Sequence, residues 1–436
     1  MTRCLFVREV LSEVTEPASA GSGSRLRVVI LTHICWPEPA DFKNLPLARE
    51  LAGRGHSVTI VTGFPNYPLG KIYPGYRLAW RRWEQVDGVR ILRVPLYPDH
   101  SSSGLRRMAN YLSFTLSASI LGPLLAGRTD VVFVYSPPMT LGITARLFKA
   151  FRRARVVLDV VDLWPDAVAG SGMASSRLVV AGSGWFARRS YRAADRITVL
   201  TEGFRERVLA QLGARPIPVT VRPPWAQDEV AGPDRAFAAS FGLDGMFCVV
   251  HAGNLGVFQD IETVLAAADL LRDQPDVRLV LVGGGRDLAE IRAAVARRNL
   301  SNVVLTGLVP AERIPGVLAR ADACLVSLVS DPYLNINLPS KFASYLAAGR
   351  PIVANASGQV ANVVRAERVG FAATPGRPAE LADAIRRMRA MTPAERTAMS
   401  LRARRLFQRD YEARTGLAGY VRMIEGLAAA RPVRRR

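Results

Sequence analysis

The residues best suited to chemistry lie between Asn335 and Ala354, in the run NINLPSKFASYLAAGRPIVA. A short helix is bracketed there by Leu338-Pro339-Ser340-Lys341 and by Gly349, and the buried strand Pro-Ile-Val-Ala follows at once. Ser340 is a residue type that caps a helix by accepting a bond from a free backbone N–H. Gly349 supplies a left-handed stop. Free N–H groups and the positive dipole end at Ser340 form an anion site, and Lys341 adds a full charge. Ser344 lies one turn on, on the face of Ser340. A helix start of this kind can hold a diphosphate and the sugar beside it. A capped surface helix with a solvated lysine would carry the same residues, so the reading rests on what else converges on this point.

Two other segments converge with it at strand ends. His251-Ala252-Gly253-Asn254-Leu255-Gly256 follows one apolar strand, and a glycine there admits a ligand to the backbone. Gly283-Gly284-Gly285 opens a helix, where its amides could face a phosphate or a base. In the first half of the chain, Asp162 ends an apolar strand and its carboxylate is expected to face a crevice. Trp164 beside it offers a flat face for a sugar ring. His33 ends the first strand near the same crevice. Phe64-Pro65-Asn66-Tyr67-Pro68 either shapes an acceptor pocket or forms a rigid loop. His56 is expected to pack at a helix end.

These residues need elements to position them. From Arg25 the pattern alternates strand and helix: strands over Leu26–Thr32, Val58–Thr62, Val89–Pro95, Asp130–Tyr135, Arg155–Val161 and Arg196–Leu200, with helices over Lys43–Arg54 and Leu141–Phe151. A break falls from Arg222-Pro223-Pro224-Trp225 to Gly232-Pro233. The alternation restarts with strands over Phe247–Ala252, Val277–Val282, Asn302–Thr306, Ala323–Leu328 and Ile352–Ala354. Helices are expected over Ile261–Arg272, Leu288–Arg298 and Ile314–Arg320. Apolar strands of this kind imply parallel sheets covered on both faces. Two doubly wound domains in tandem would set their crevices face to face.

The 436 residues carry 58 Lys and Arg against 37 Asp and Glu, a formal net charge of +21, with arginine abundant and lysine rare. An anionic partner follows: a phosphate-rich ligand, an anionic lipid or a nucleic acid. The last is disfavoured, since no basic helix or aromatic stacking motif of known type occurs. The four cysteines and four histidines are dispersed, with no zinc pattern or disulfide framework, which fits a reducing compartment. Residues 1–24 carry acids in their apolar run and end in a Gly/Ser linker, as a leader rather than a signal peptide would. Met108–Gly127 is uncharged and long enough to span a bilayer, but its Ser, Thr, Asn and Pro123 favour a core or interfacial helix.

Taken together the chain resembles glycosyltransferase family 4, of the GT-B fold, from Leu26 onward. The matching segments are RGHSVTIVT, FPNYPLGKIYPGY, DVVDLWPD, HAGNLGVFQDIETVLAA, NVVLTGLVP and LPSKFASYLAAGRPIVA. DLWP, GNLG and PSK look like a bacterial branch that includes fucosaminyl transferases of O-antigen and colanic-acid type. The resemblance implies an α/β protein with two doubly wound Rossmann-like domains facing each other across a cleft. Residues 25–225 would bind the acceptor and 226–410 the sugar nucleotide. Residues 411–436 would form a helix crossing back to the first domain and a basic tail.

The activity implied is metal-independent, retaining hexosyl transfer from a nucleotide-diphosphate sugar to a lipid-linked or surface-polysaccharide acceptor. It would take place in the cytoplasm, on the inner face of the cell membrane. The donor side would comprise Gly253, Asn254, Gln259, Gly283, Gly284, Ser340, Lys341 and Ser344. The acceptor side would comprise His33 and Trp164, with Lys341 and Asp162 serving catalysis. The family's paired glutamates fall at Ile336 and Ser344, and its diphosphate-binding arginine and lysine at Asn254 and Gln259. Its glycine-rich loop reads Pro39-Ala40-Asp41. Lys341 is the evident replacement cation. Two rival readings stay open: a sugar-nucleotide epimerase of the same fold, and a sugar-nucleotide-binding homologue without catalysis.

Overall fold

The computed structural model describes residues 25–39, 41, 43–101, 103–167 and 177–429. The leader, Ala40 and the basic tail lie outside these residues.

The apolar runs form the strands of two sheets. The first contains β1 (Arg27–Leu31), β2 (Ser57–Gly63), β3 (Arg82–Val86), β4 (Val89–Val94), β5 (Val131–Ser136), β6 (Arg155–Val160), β7 (Arg196–Val199) and β8 (Val219–Val221). Its order is β3-β4-β2-β1-β5-β6-β7-β8. The expectation of a purely parallel sheet fails at one edge, where β3 runs antiparallel to β4. The pair is joined by Asp87-Gly88, both at positive φ (49° and 79°), the backbone a two-residue hairpin requires.

The second sheet is parallel throughout. It holds β9 (Phe247–Ala252), β10 (Val277–Val282), β11 (Val303–Gly307), β12 (Ala323–Ser327), β13 (Ile352–Asn355) and β14 (Gly370–Ala373), in the order β11-β10-β9-β12-β13-β14. Strand order reverses between β1 and β5 and again between β9 and β12. In open α/β sheets, ligands bind outside the strand C-termini at such switch points. The two doubly wound domains expected from the pattern are therefore present.

Helices of the first domain are α1 (Asn44–Gly53), α2 (Gly104–Leu125), α3 (Leu141–Arg152), α4 (Arg177–Tyr191) and α5 (Glu202–Leu212). The second carries α6 (Arg235–Ser240), α7 (Ile261–Leu270), α8 (Leu288–Arg297), α9 (Ile314–Arg320), α10 (Pro332–Ile336), α11 (Ser340–Ala347), α12 (Gly358–Ala366), α13 (Pro378–Ala390) and α14 (Pro393–Leu406). α15 (Ala413–Ala429) returns to the first domain, where Tyr420, Val421 and Ile424 join Ile30, Leu47 and Phe133 in one buried cluster. Where it leaves the second domain it meets the outgoing linker. Ala226 N–H donates to the Tyr411 carbonyl at 3.0 Å, and Ala413 N–H donates to the Ala226 carbonyl at 3.0 Å.

Beneath α15 sits a buried polar cluster. Lys43 Nζ donates to Asp159 Oδ2 at 2.7 Å and to the Tyr420 hydroxyl at 3.1 Å. Tyr420 and Thr198 each donate to Asp159 Oδ1 at 2.7 Å. The ammonium also lies 4.8 Å from the ring centres of Trp225 and Tyr420.

α2 is apolar on both faces. Asn110, Phe114, Ala118 and Leu121 are buried against the first sheet, while Leu112, Leu116, Ile120 and Leu124 form an exposed stripe at helical spacing. Among the described residues it is the one helix long and apolar enough to cross a membrane.

Candidate active site

The site is built on the end of β9. The chain leaves the strand at Gly253, with φ +142°, and α11 stands over this turn. Tyr345 fixes the helix there: its hydroxyl accepts from Ala252 N–H at 2.8 Å and donates to the Ala252 carbonyl at 3.1 Å. Lys341 precedes Tyr345 by four residues and so shares its face. It reaches across Gly253, where an added Cβ would lie 3.2 Å from Lys341 Nζ. The ammonium donates to Gln259 Oε1 at 2.9 Å and lies 3.2 Å from His251 Nε2. Burial pushes the Lys341 ammonium down to about 7. Burial, and then the charge of Lys341, pushes His251 down to about 3, so the imidazole is neutral.

The neighbouring loop is pressed against this turn. Gly283 has φ +134°, and an added Cβ there would meet the Gly253 carbonyl at 2.0 Å. Glycine at 283 is thus required by contact between two loops, and Gly284 sits against Leu308. The Gly253 turn itself is anchored at its end by Asp260, whose carboxylate accepts from Thr263, from Asn355 at 2.9 Å and from Gly376 N–H at 3.1 Å. Asn254 is exposed at the rim, and Ser344 is partly exposed one turn along α11.

One expectation for α11 fails. Ser340 does not cap the helix: it is the first helical residue and exposed, and the cap position is Pro339, with no side-chain capping bond. The free N–H groups of the first turn therefore keep no serine acceptor, and Lys341 is the charged residue within that turn.

On the first domain, Asp162 follows β6 and accepts from the Tyr333 hydroxyl of α10 at 3.1 Å, across the two domains. Burial raises the Asp162 carboxyl, and the Tyr333 bond opposes that rise. The same α10 edge docks on the first domain through Thr201, which donates to the Ile336 carbonyl at 2.5 Å, and through Phe204, stacked 5.8 Å from Tyr333.

Trp164 departs from expectation. It is 3 % exposed and packs in the first domain's core, because the turn after Asp162 points the next side chains inward. It offers no face to a sugar. The exposed indole after β1 is Trp36, which the sequence reading passed over. His33 is buried with its ring edge-on to Tyr111 and Phe114, and burial pushes its pKa down to about 4. Its Nε2 has no hydrogen-bond partner. The Phe64–Pro68 segment is a fixed loop. Buried Glu38 accepts from the N–H groups of Cys35, Asn66 and Tyr67 at 2.8–3.0 Å, tying it to the turn after β1.

The arrangement offers one cation, the free amides of a helix start and two close-packed glycine turns at a switch point. Across the cleft stand a carboxylate and buried aromatic rings. Among the described residues no three of His, Cys, Asp and Glu gather as metal ligands would.

Comparison with known proteins gives the class. Residues 45–225 match a glycosyl transferase 4-like domain, and residues 247–390 match the glycosyl transferases group 1 family. The chain is 28% identical over 315 residues to a protein of Escherichia coli (strain K12) named for colanic acid biosynthesis, the glycosyl transferase WcaI. That match covers 69% of this chain and 75% of WcaI. It is 31% identical over 224 residues to 2-deoxystreptamine glucosyltransferase of Streptomyces kanamyceticus, covering 48% of this chain and 54% of that one. Anabaena HepE, solved in complex with UDP, superposes with a TM-score of 0.67 at 15% identity, over 92% of this chain and all of HepE. At that identity the likeness speaks for the fold alone. The chain belongs to glycosyltransferase family 4, with the GT-B fold, and is a glycosyltransferase.

Proposed function

We propose that this enzyme transfers a sugar, with retention, from a nucleotide-diphosphate sugar to a lipid-linked or surface-polysaccharide acceptor. The observation that carries the reading is Lys341, held over the Gly253 turn at the start of α11. The second domain would bind the donor through Lys341, Gln259, the first-turn amides of α11 and the turns at Gly253 and Gly283. In the step itself, the bond from the sugar's anomeric carbon to the diphosphate oxygen breaks, and its electron pair stays on the diphosphate. The acceptor hydroxyl oxygen forms the new bond, and its proton leaves with the nucleoside diphosphate. The helix-start amides and Lys341 stabilise the departing charge, so no metal is needed for it. The first domain would place the acceptor, with Asp162 orienting its hydroxyl. Structures of HepE with UDP and UDP-glucose, and the colanic-acid name of the Escherichia coli relative, support the donor and acceptor classes.

The test is turnover of UDP-, GDP- and dTDP-sugars with and without a polyprenyl-diphosphate glycan, in chelator. The expected result is nucleoside diphosphate released only when the acceptor is present. A free, altered sugar nucleotide formed without acceptor would establish the epimerase reading instead. Binding without turnover of any kind would establish the non-catalytic one.

Such an acceptor brings the first domain to a membrane, and we place the enzyme on the inner face of the cell membrane. The exposed stripe of α2 continues onto Ile143 and Phe151 of the adjoining α3 and Trp185 of α4. Arg106, Arg146 and Arg188 stand exposed on the same three helices. Arg77 and Arg81 are also exposed, whereas Arg82 is paired with Glu84. Each basic charge near an anionic leaflet is worth about 1 kcal/mol, and screening confines its reach to about 8 Å at physiological salt. The protein should therefore cosediment with phosphatidylglycerol vesicles at low salt and be released at high salt. Equal behaviour on phosphatidylcholine vesicles, or no binding, would remove this face from the proposal.

A further inference from the structure

We propose that His251 is a positioning residue: as a neutral hydrogen-bond acceptor it holds the Lys341 ammonium in place for the donor diphosphate. The inference rests on the reading of Lys341 as the donor's cation. His251 is fully buried in β9, with no access to solvent. Its Nδ1 lies 3.2 Å from the Leu325 carbonyl of β12, an oxygen that can only accept. The Asn254 backbone also bonds to the ring; with Nε2 turned to a charged lysine, the proton belongs on Nδ1 and Nε2 presents a lone pair. That lone pair faces Lys341 Nζ at 3.2 Å, a group that only donates while charged.

An ammonium has three N–H groups. Gln259 and His251 take two, in fixed directions, and one is left for a ligand oxygen. Both acceptors are uncharged. A carboxylate in either place would hold the ammonium equally well but cancel the charge that the diphosphate needs. Among the described residues no carboxylate forms a salt bridge with Lys341. The other ionisable groups close by are the Tyr345 phenol, engaged on Ala252, and Cys324, which neighbours Tyr345. A β-strand interior would more cheaply hold an aliphatic residue at 251; the histidine is explained by what its ring accepts.

The low lysine content makes the pair directly observable. The chain has four lysines, Lys43, Lys71, Lys149 and Lys341, and four histidines. Protein labelled with carbon-13 at lysine Cε gives one signal per lysine, and Lys341→Met identifies the one in question. In His251→Phe, which keeps the ring's bulk but not its lone pair, the Lys341 midpoint should fall by about one pH unit. Affinity for UDP or for inorganic pyrophosphate should fall about fivefold or more. His251→Gln, whose amide oxygen can reach the same point, should restore much of both. An unchanged Lys341 midpoint in folded His251→Phe would overturn the proposal.

A second measurement needs no variant. Nitrogen-15 histidine spectra of the wild-type protein should show His251 with an unprotonated Nε2 from about pH 5 to about pH 8. Finding the proton on Nε2 would overturn the proposal equally. Failure of the donor reading looks different: UDP and pyrophosphate would bind Lys341→Met as well as wild type, whatever the His251 spectra show.

Discussion

Lys341→Ala is expected to lose nucleotide-diphosphate affinity and turnover by at least tenfold. A preorganised donor to charge developing in a transition state is worth about 3–4 kcal/mol. Among the described residues no second cation is hydrogen-bonded into the turn between Gly253 and Gln259. The variant should also reveal a pH dependence. In the free protein, burial pushes the Lys341 ammonium down to about 7. A bound diphosphate favours the charged form and raises that value again, so binding takes up a proton. Affinity should be highest below pH 7 and fall as pH rises through and beyond it, toward tenfold per unit. Calorimetric titration with UDP at several pH values, in wild type and Lys341→Ala, measures both effects. The same burial has an opposite consequence for stability. The folded-state value lies below the unfolded one, so the unfolded chain holds the extra proton between them, and this group's contribution to stability rises with pH above about 7. Lys341→Met should accordingly melt higher than wild type near neutral pH while binding poorly. Unchanged UDP affinity and rate in Lys341→Ala would sink the assignment.

The second large effect is structural. Lys43→Met should destabilise the protein by about 3–5 kcal/mol, because it strands a fully buried Asp159 without its counter-charge. The loss concerns α15 in particular, since Tyr420 reaches the first domain through the same carboxylate. Urea unfolding of Lys43→Met, Asp159→Leu and the double variant measures the coupling. The double variant should recover much of the loss, as removal of both charges leaves nothing unpaired. A change below about 1 kcal/mol in Lys43→Met would show the cluster to be incidental.

The sequence carried the fold well, and the reason is periodicity. Phe247–Ala252 and Val277–Val282 are strands with the limits read from their apolar runs, and the switch-point crevices follow from their order. β3 escaped because Arg82-Trp83-Glu84-Gln85-Val86 is a polar edge strand without an apolar run. Asp87-Gly88 was the available signal for it. For the site, the position of Lys341 at a helix start was legible. Its partners were not: His251 and Gln259 lie 90 and 82 residues away, and only the docking of α11 on β9 brings them together. Ser340 misled because residue preference at a cap says nothing of where the extended Leu338-Pro339 segment ends. Trp164 misled because the inward turn after Asp162 is a property of the core. The Lys43–Asp159–Tyr420 cluster joins three distant segments and shows in sequence only as an aspartate within an apolar strand.

The chain passes between its two domains twice, once at Ala226 and once at Glu412, and those two passages are hydrogen-bonded side by side. Mechanically this is a hinge with its pin already fitted. Two independent tethers set apart would resist rotation, and a single one would allow sliding and twist as well. Two that run together at one point leave rotation about that point as the soft motion. Any opening of the cleft then turns about that point and must part the Tyr333–Asp162 bond, which spans the two domains. That bond includes a proposed catalytic carboxylate, so the same rotation that opens the cleft also releases Asp162 from its partner.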